Sequence, residues 1–255
     1  MTAPFFQKAA NLSSPHGFFG RQGGVSDGIF SSLNGSFASG DKPDHVAENR
    51  RRMAKCIGAD AITTARQTHS AKALFVSEVL PQDHLPEADA LMTDVPGLAV
   101  AVLTADCVPL LFEAPGLVCA AHAGWRGSMH GIIGAAVAMM EDKGAKRATI
   151  RVSIGPCLRR DSFEVRHDLI AEVKKSHRDA DPFFSAISDT QSLYDHVGFV
   201  GARLREAGVL PHNITDTGGD TLADQTRYFS YRGARKAGSK RFGHNLSAIM
   251  LPCSG

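Results

Sequence analysis

Three segments carry side chains able to ligate a metal, each within or just beyond an apolar run. They are Gln67-Thr68-His69-Ser70, Thr104-Ala105-Asp106-Cys107 and Ala121-His122-Ala123-Gly124-Trp125-Arg126-Gly127. Zinc accepts neutral imidazole together with thiolate, and three protein ligands leave a fourth position open, as a catalytic site requires. His69, Cys107 and His122 are therefore candidate ligands and candidate catalytic residues, provided that the strand ends carrying them converge at one sheet edge. Their spacing is only permissive, because no tight Cys-x-x-Cys pair of the zinc-finger kind occurs. Each residue also has an ordinary structural role open to it. Cys107 beside a buried strand suits inert core, His69 suits a polar surface turn, and His122 suits a core histidine bonded to a carbonyl.

Other residues stand next to these three. Asp106 can orient a ligand, act as an acid or base, or cap a turn. Arg126 lies in a glycine-rich strand-to-helix connection, where an arginine and backbone N–H groups can hold an anion such as phosphate, or where the arginine can form a structural ion pair. Gly124 and Gly127 permit a tight turn there. Gly124, Arg126 and Asn34, the last in a polar loop that follows Gly23-Gly24-Val25-Ser26, are the candidate substrate- or phosphate-binding positions. Trp125 reads as packing, and Cys56, Cys119, Cys157 and Cys253 read as structural.

The elements that must position these groups follow from pattern. Leu98–Leu103 and Val108–Phe112 are continuous apolar runs suited to strands buried on both faces. Leu117–Ala121 is a further strand, and Ala73–Val79 and Thr149–Ile154 are expected to be strands too. Asp44–Cys56 reads as a helix capped by Asp44, with Val46, Met53 and Ile57 on one side. Ile132, Ile133, Val137 and Met140 form one apolar stripe on a helix that Gly144 closes. Asp161 or Ser162 is expected to cap a helix bearing Val165, Leu169, Ile170 and Val173. Gln191–Ala207 is expected to be a single helix, and Tyr228–Arg232 and Leu246–Leu251 the final strands. Strands and helices mix without strict alternation, which points to an α+β layered fold in one domain.

Bulk properties exclude several classes. With 255 residues, 43% hydrophobic and 21% charged, the chain has an ordinary globular balance and can bury a core without staples. A formal net charge of +2 gives no electrostatic case for nucleic-acid binding. Five widely spaced cysteines, an odd number, argue against a disulfide framework and for a reducing compartment. No secretory signal and no membrane span is visible, so the expectation is a cytoplasmic enzyme.

The stretches QTHSAK (67–72), ADALMTDVPGLAVAVLTADCVPLLF (88–112), AAHAGWRG (120–127), IGPCL (154–158) and YFSYR (228–232) resemble the laccase-like polyphenol oxidase family. Members of that family are regarded as zinc-dependent purine nucleoside phosphorylases. The resemblance runs from the Gly23 loop to Ile249-Met250-Leu251. It implies a single domain over residues 1–255, folded as a four-layer α/β/β/α sandwich of mixed sheets shared with certain cysteine deamidase toxins. It implies that zinc is held by the histidine of the QxH motif, the cysteine of the ADC motif and the histidine of HAGWRG, which match His69, Cys107 and His122. It implies a purine nucleoside and phosphate as substrates, with adenosine deaminase as a second activity. Two positions depart from the family's pattern: Gly243-His244 stands where many relatives have Gly-Arg, and Asp220-Thr221 where some have Cys-Thr.

The oxidase label conflicts with the histidine pattern. Four-copper chemistry needs many paired His-x-His motifs, and among the 11 histidines of this chain there is none. Two histidines and a cysteine can still imitate a single copper site in vitro. The rival readings are a cysteine hydrolase with Cys107 as nucleophile and His122 as its base, and the editing of cell-wall precursors that the resemblance also implies for bacterial relatives.

Overall fold

The computed structural model describes residues 3–253. Two mixed sheets lie face to face. The first holds five strands in the order Phe6–Gln7, His16–Phe19, Asn245–Ile249, Leu98–Thr104 and Ala61–Thr63. The second holds six, in the order Ile214–Asp216, Arg151–Ile154, Val108–Ala114, Leu117–Ala123, Ala90–Thr93 and Ala73–Phe75. Among the strands of the described residues, pairing is parallel where Ala61–Thr63 meets Leu98–Thr104 and at the two edges of the second sheet.

Side-chain alternation builds the layers. Leu98, Val100 and Val102 face one way and join Leu111, Val118 and Ala120 of the second sheet in a core between the sheets. Ala99, Ala101 and Leu103 face the other way, where Met53, Ala54 and Ile57 of the helix Pro43–Ile57 cover them. On the far side of the second sheet, Val108, Leu110, Phe112, Cys119 and Ala121 pack under the helices Ile132–Asp142 and His196–Glu206. The order is helix, sheet, sheet, helix, which is the α+β sandwich of mixed sheets. Leu110, Leu111 and Phe112 are fully buried although they alternate in direction. Each such side chain contributes about 1.5–3 kcal/mol by leaving water, so the continuous apolar runs mark strands covered on both faces.

Several expected elements take another form. The strand begun at Ala73 ends at Phe75. The helix expected from Asp161 or Ser162 is interrupted: Arg160–Ser162 is a short 3-10 turn, Glu164–Arg166 is a strand, and only His167–Ser176 is helical. Gln191–Ala207 divides into a strand, Gln191–Tyr194, and a helix, His196–Glu206, because Asp195 caps the helix by accepting from the N–H of Gly198. The strand joins Glu164–Arg166 and Phe184–Ala186 in a small antiparallel sheet. Tyr228–Arg232 is not a strand. Ser230 caps the helix Tyr231–Lys236 by accepting from Gly233 N–H. The helix Pro43–Ile57 starts at a proline after Lys42, with no side-chain cap from Asp44. Among the described residues no helix is long and apolar enough to cross a membrane.

Candidate metal centre

Two of the three candidate ligands lie in connections that cross between the sheets. His69 lies between Ala61–Thr63 of the first sheet and Ala73–Phe75 of the second, and Cys107 between Leu98–Thr104 and Val108–Ala114. His122 is near the end of Leu117–Ala123, on the same face as Val118 and Ala120. The structure brings all three together: one ligand atom from each lies within 4.8 Å of the others. His69 Nε2 is 3.8 Å from Cys107 Sγ, and the two imidazole rings meet edge-on at 4.7 Å. A tetrahedral ion with bonds of about 2.0–2.3 Å separates its ligands by roughly 3.3–3.8 Å, so the His69–Cys107 edge already has the required length. His122 is buried, Cys107 partly exposed and His69 exposed, which leaves one side of the triangle open to solvent.

The backbone around the triangle is over-determined. His69 and Asp106 are the non-glycine residues with positive φ among those described, at 59° and 94°. Such conformations cost about 1–3 kcal/mol and persist only where surroundings enforce them. For His69 the enforcer is Asp89, a residue that sequence reasoning missed. Its carboxylate accepts from the N–H groups of Thr68, His69 and Ser70 at 3.2, 3.0 and 2.7 Å, and from Ser70 Oγ at 2.7 Å. The same carboxylate accepts from His122 Nδ1 at 2.8 Å. One buried acid therefore sets two ligands, and by engaging Nδ1 it leaves Nε2 of His122 for a metal. Gln67 anchors the same loop. Its side-chain amide donates to Leu103 O and accepts from Leu103 N–H, both at 2.8 Å, as a neighbouring strand would.

Asp106 is held just as firmly. Its carboxylate accepts from Thr221 Oγ1 at 2.7 Å and from the N–H of Arg232 at 2.6 Å, and its carbonyl accepts from Leu158 N–H. Those bonds fix the turn that presents Cys107. Burial, only partly offset by these donors, pushes the Asp106 carboxyl up. Asn34 is fully buried, and its amide is committed to Ser36, Ser39, Asp41 and the N–H of His244. With its amide so engaged it is a structural residue of its loop and not a substrate contact. Arg126 is exposed, with its guanidinium 4.1 Å above the Trp125 ring. Gly124 precedes the short helix Trp125–His130. A Cβ there would stand 2.6 Å from His69 Cδ2 and 3.3 Å from Cys107 Sγ. Glycine keeps the ligand triangle clear, and a metal fits the donor set: two imidazoles, one thiolate and a buried carboxylate orienting a ligand histidine.

The electrostatics agree. Burial would raise the Cys107 thiol, but His122 and then His69 overcome it and bring it down to about 6. Burial would lower His122, but the Cys107 thiolate and the bond to Asp89 raise it to about 9. Near neutral pH without metal the two form a thiolate–imidazolium pair. Asp89, despite burial, is held well below the usual carboxylate range by His122 and Ser70.

The family described as multi-copper polyphenol oxidoreductase laccase matches residues 15–252. The chain belongs to that family. Among its relatives is a purine nucleoside phosphorylase of Deinococcus radiodurans, 38% identical over 68% of this chain and 69% of that one. Another is the adenosine deaminase RL5 of an unknown prokaryotic organism, 30% identical over 80% of this chain and 82% of that one. The crystal structure of YlmD from Geobacillus stearothermophilus is similar with a TM-score of 0.89, at 27% identity over 98% of this chain and 100% of that one.

Proposed function

We propose that the protein is a zinc-dependent purine nucleoside phosphorylase that also deaminates adenosine, acting on adenosine, inosine, guanosine or methylthioadenosine. The observation that carries this reading is the open triangle of His69, Cys107 and His122 with Asp89 behind it and Gly124 clearing its face. The names of the relatives from Deinococcus radiodurans and of RL5 support the two reactions. His69, Cys107 and His122 hold the zinc, which when bound supplies a Lewis acid at its open position. Asp106 positions the Cys107 turn. Arg126, with the backbone around Gly124, supplies positive potential for phosphate. In phosphorolysis a phosphate oxygen bonds to C1′ while the C1′–N9 bond breaks and its electron pair leaves with the purine. In deamination, water adds at C6 and ammonia leaves.

The test is zinc content of freshly purified protein followed by incubation with inosine. Hypoxanthine release should depend saturably on phosphate and yield ribose 1-phosphate. Arg126→Ala should raise the phosphate requirement more than the nucleoside requirement, by about tenfold for loss of one charge-assisted contact. Equal release in phosphate-free buffer with free ribose as co-product would sink the phosphorylase reading. The thiolate–imidazolium pair favours a second reading, a metal-free hydrolase with Cys107 as nucleophile and His122 as base. Stoichiometric zinc would exclude it, since a metal-held thiolate is not free to attack.

A further inference from the structure

A concavity opens where the small antiparallel sheet meets the helix Tyr231–Lys236. In the strand Glu164–Arg166, Val165 packs into the core with Phe163 and Val173, so Glu164 and Arg166 on either side of it point outward. Arg166 pairs in register with Gln191 of the neighbouring strand. Arg232, Arg235 and Lys236 come from the helix. Together these residues line a pocket of about 350 Å³, at the small end of the range for ligand sites.

The electrostatics of this pocket are one-sided. Four cations share it with a single carboxylate, that of Glu164, and among the described residues none of the four is in an ion pair. Arginines that hold the fold together elsewhere are matched: Arg159 with Asp216, Arg203 with Asp179 and Arg227 with Asp224. Like charges round a concavity repel one another strongly, because its low-dielectric walls focus the field. Arg232 is also fixed in place. Its Nη1 donates to the carbonyl of Glu164 at 2.6 Å, and its guanidinium lies 5.1 Å from the centre of the Phe163 ring. Its main-chain N–H is held by the Asp106 carboxylate. The other guanidinium N–H groups of Arg232 have no acceptor among the described residues. A planar fork held in this way loses little freedom when an anion binds.

We propose that this pocket binds the diphosphate group of a small anionic ligand, with Arg232 as the fixed fork and Arg166, Arg235 and Lys236 closing round it. Charge selects the class. Four cations against one carboxylate leave three positive charges to be balanced. A phosphate monoester carries about 1.5–2 negative charges at neutral pH, and a diphosphate about one more. Arginine forks match phosphate oxygens two at a time. A nucleic acid would need a basic track, whereas these cations converge on one pocket in a chain whose formal net charge is only +2. The site is independent of the phosphorylase reading, whose phosphate is assigned to Arg126.

Calorimetric titration of the zinc-loaded protein with pyrophosphate, ADP and orthophosphate tests the site. Pyrophosphate should bind saturably, more tightly than orthophosphate, and should weaken as salt is added. Arg235→Ala and Lys236→Ala, both at exposed positions, should each weaken it about tenfold, the loss of one charge-assisted contact. Arg232→Lys should weaken it as well, since an ammonium keeps the charge but not the fork. Arg126→Ala should bind pyrophosphate as the wild type does, and it controls for anions drawn to the metal centre. Zinc content and melting temperature, measured for every sample, show that neither metal nor fold is lost. ADP binding at least as tightly as pyrophosphate would uphold the site with a nucleotide as the source of the diphosphate group. Weaker ADP binding would uphold it with free diphosphate as the ligand. The proposal falls if pyrophosphate does not bind, or if Arg235→Ala and Lys236→Ala bind it as tightly as the wild type. It falls equally if Arg126→Ala alone abolishes binding, or if an RNA oligonucleotide binds and pyrophosphate fails to displace it.

Discussion

Cys107 and Cys119 make a controlled comparison. Both thiols belong to the same pair of antiparallel neighbours: Cys107 immediately precedes Val108–Ala114, and Cys119 lies within Leu117–Ala123 opposite Phe112. Cys119 faces only the apolar core under the helices, and burial pushes its thiol far above the usual range. Cys107 experiences burial too, yet two imidazoles turn the outcome around and leave a thiolate near neutral pH. Burial alone makes a thiol inert; burial with positive partners makes it a ligand or a nucleophile. The partners exist because two crossovers and one strand end meet at a corner of the sandwich, whereas the core around Cys119 is lined by apolar side chains.

The largest break in that comparison should come from exchanging the thiols one at a time. Cys107→Ala should lose most of the bound zinc and with it activity, because no water replaces the thiolate's charge. Cys119→Ala should keep both and cost stability by about 1 kcal/mol. Metal analysis and thermal melting of the two variants read this directly, and stoichiometric zinc in Cys107→Ala would end the triad. Removing the support for the corner should have a smaller effect. Asp89→Asn should weaken metal binding by about 10–100-fold, the usual loss for a group orienting a ligand histidine. It should also lower stability, since an NH2 would then face a buried N–H. A metal titration matching wild type would show that Asp89 only fills space. The smallest effect is a proton count. Between pH 6 and 9 Cys107 is already a thiolate while His122 carries a proton. Metal uptake near pH 7 should therefore release about one proton from this pair. That number rises toward two below pH 6, where the thiol proton must also leave, and falls toward zero above pH 9. Calorimetry in buffers of different ionisation heat measures it, and no release at pH 7 would contradict the ion pair.

The sequence contained much of the layer plan, because apolar runs such as Leu98–Leu103 and Val108–Phe112 are what strands between two covering layers require. It also singled out the residues that the corner collects. What it hid depended on tertiary partners. Asp89 sits between small residues in Ala88-Asp89-Ala90-Leu91, and an acid immediately before a buried apolar strand was the available signal. Nothing local announces that its partners would be three consecutive amides and an imidazole. Asp195 is a good helix cap, and giving it that weight would have divided Gln191–Ala207 correctly. Ser230 offered the same signal before Tyr231–Lys236, against aromatic residues that suggested a strand. Asn34 read as a candidate substrate-binding residue of a polar loop, whereas it is a buried structural amide whose partners, from Ser36 to His244, are supplied partly by chain more than two hundred residues away.

The crossovers give the corner a mechanical meaning as well as a chemical one. His69 and Cys107 are 38 residues apart, and each lies in a segment that steps from one sheet to the other. An ion gripping both, together with His122, rivets the two steps to one strand end. Because the ion binds the folded triangle and not the unfolded chain, it stabilises the fold by mass action, by about 4 kcal/mol where free metal is about a thousand times its dissociation constant. A chelator should therefore lower the melting temperature of the whole sandwich as well as silence the site. The reagent that switches off the chemistry would loosen the seam between the sheets in the same stroke, tying the protein's lifetime to its metal supply.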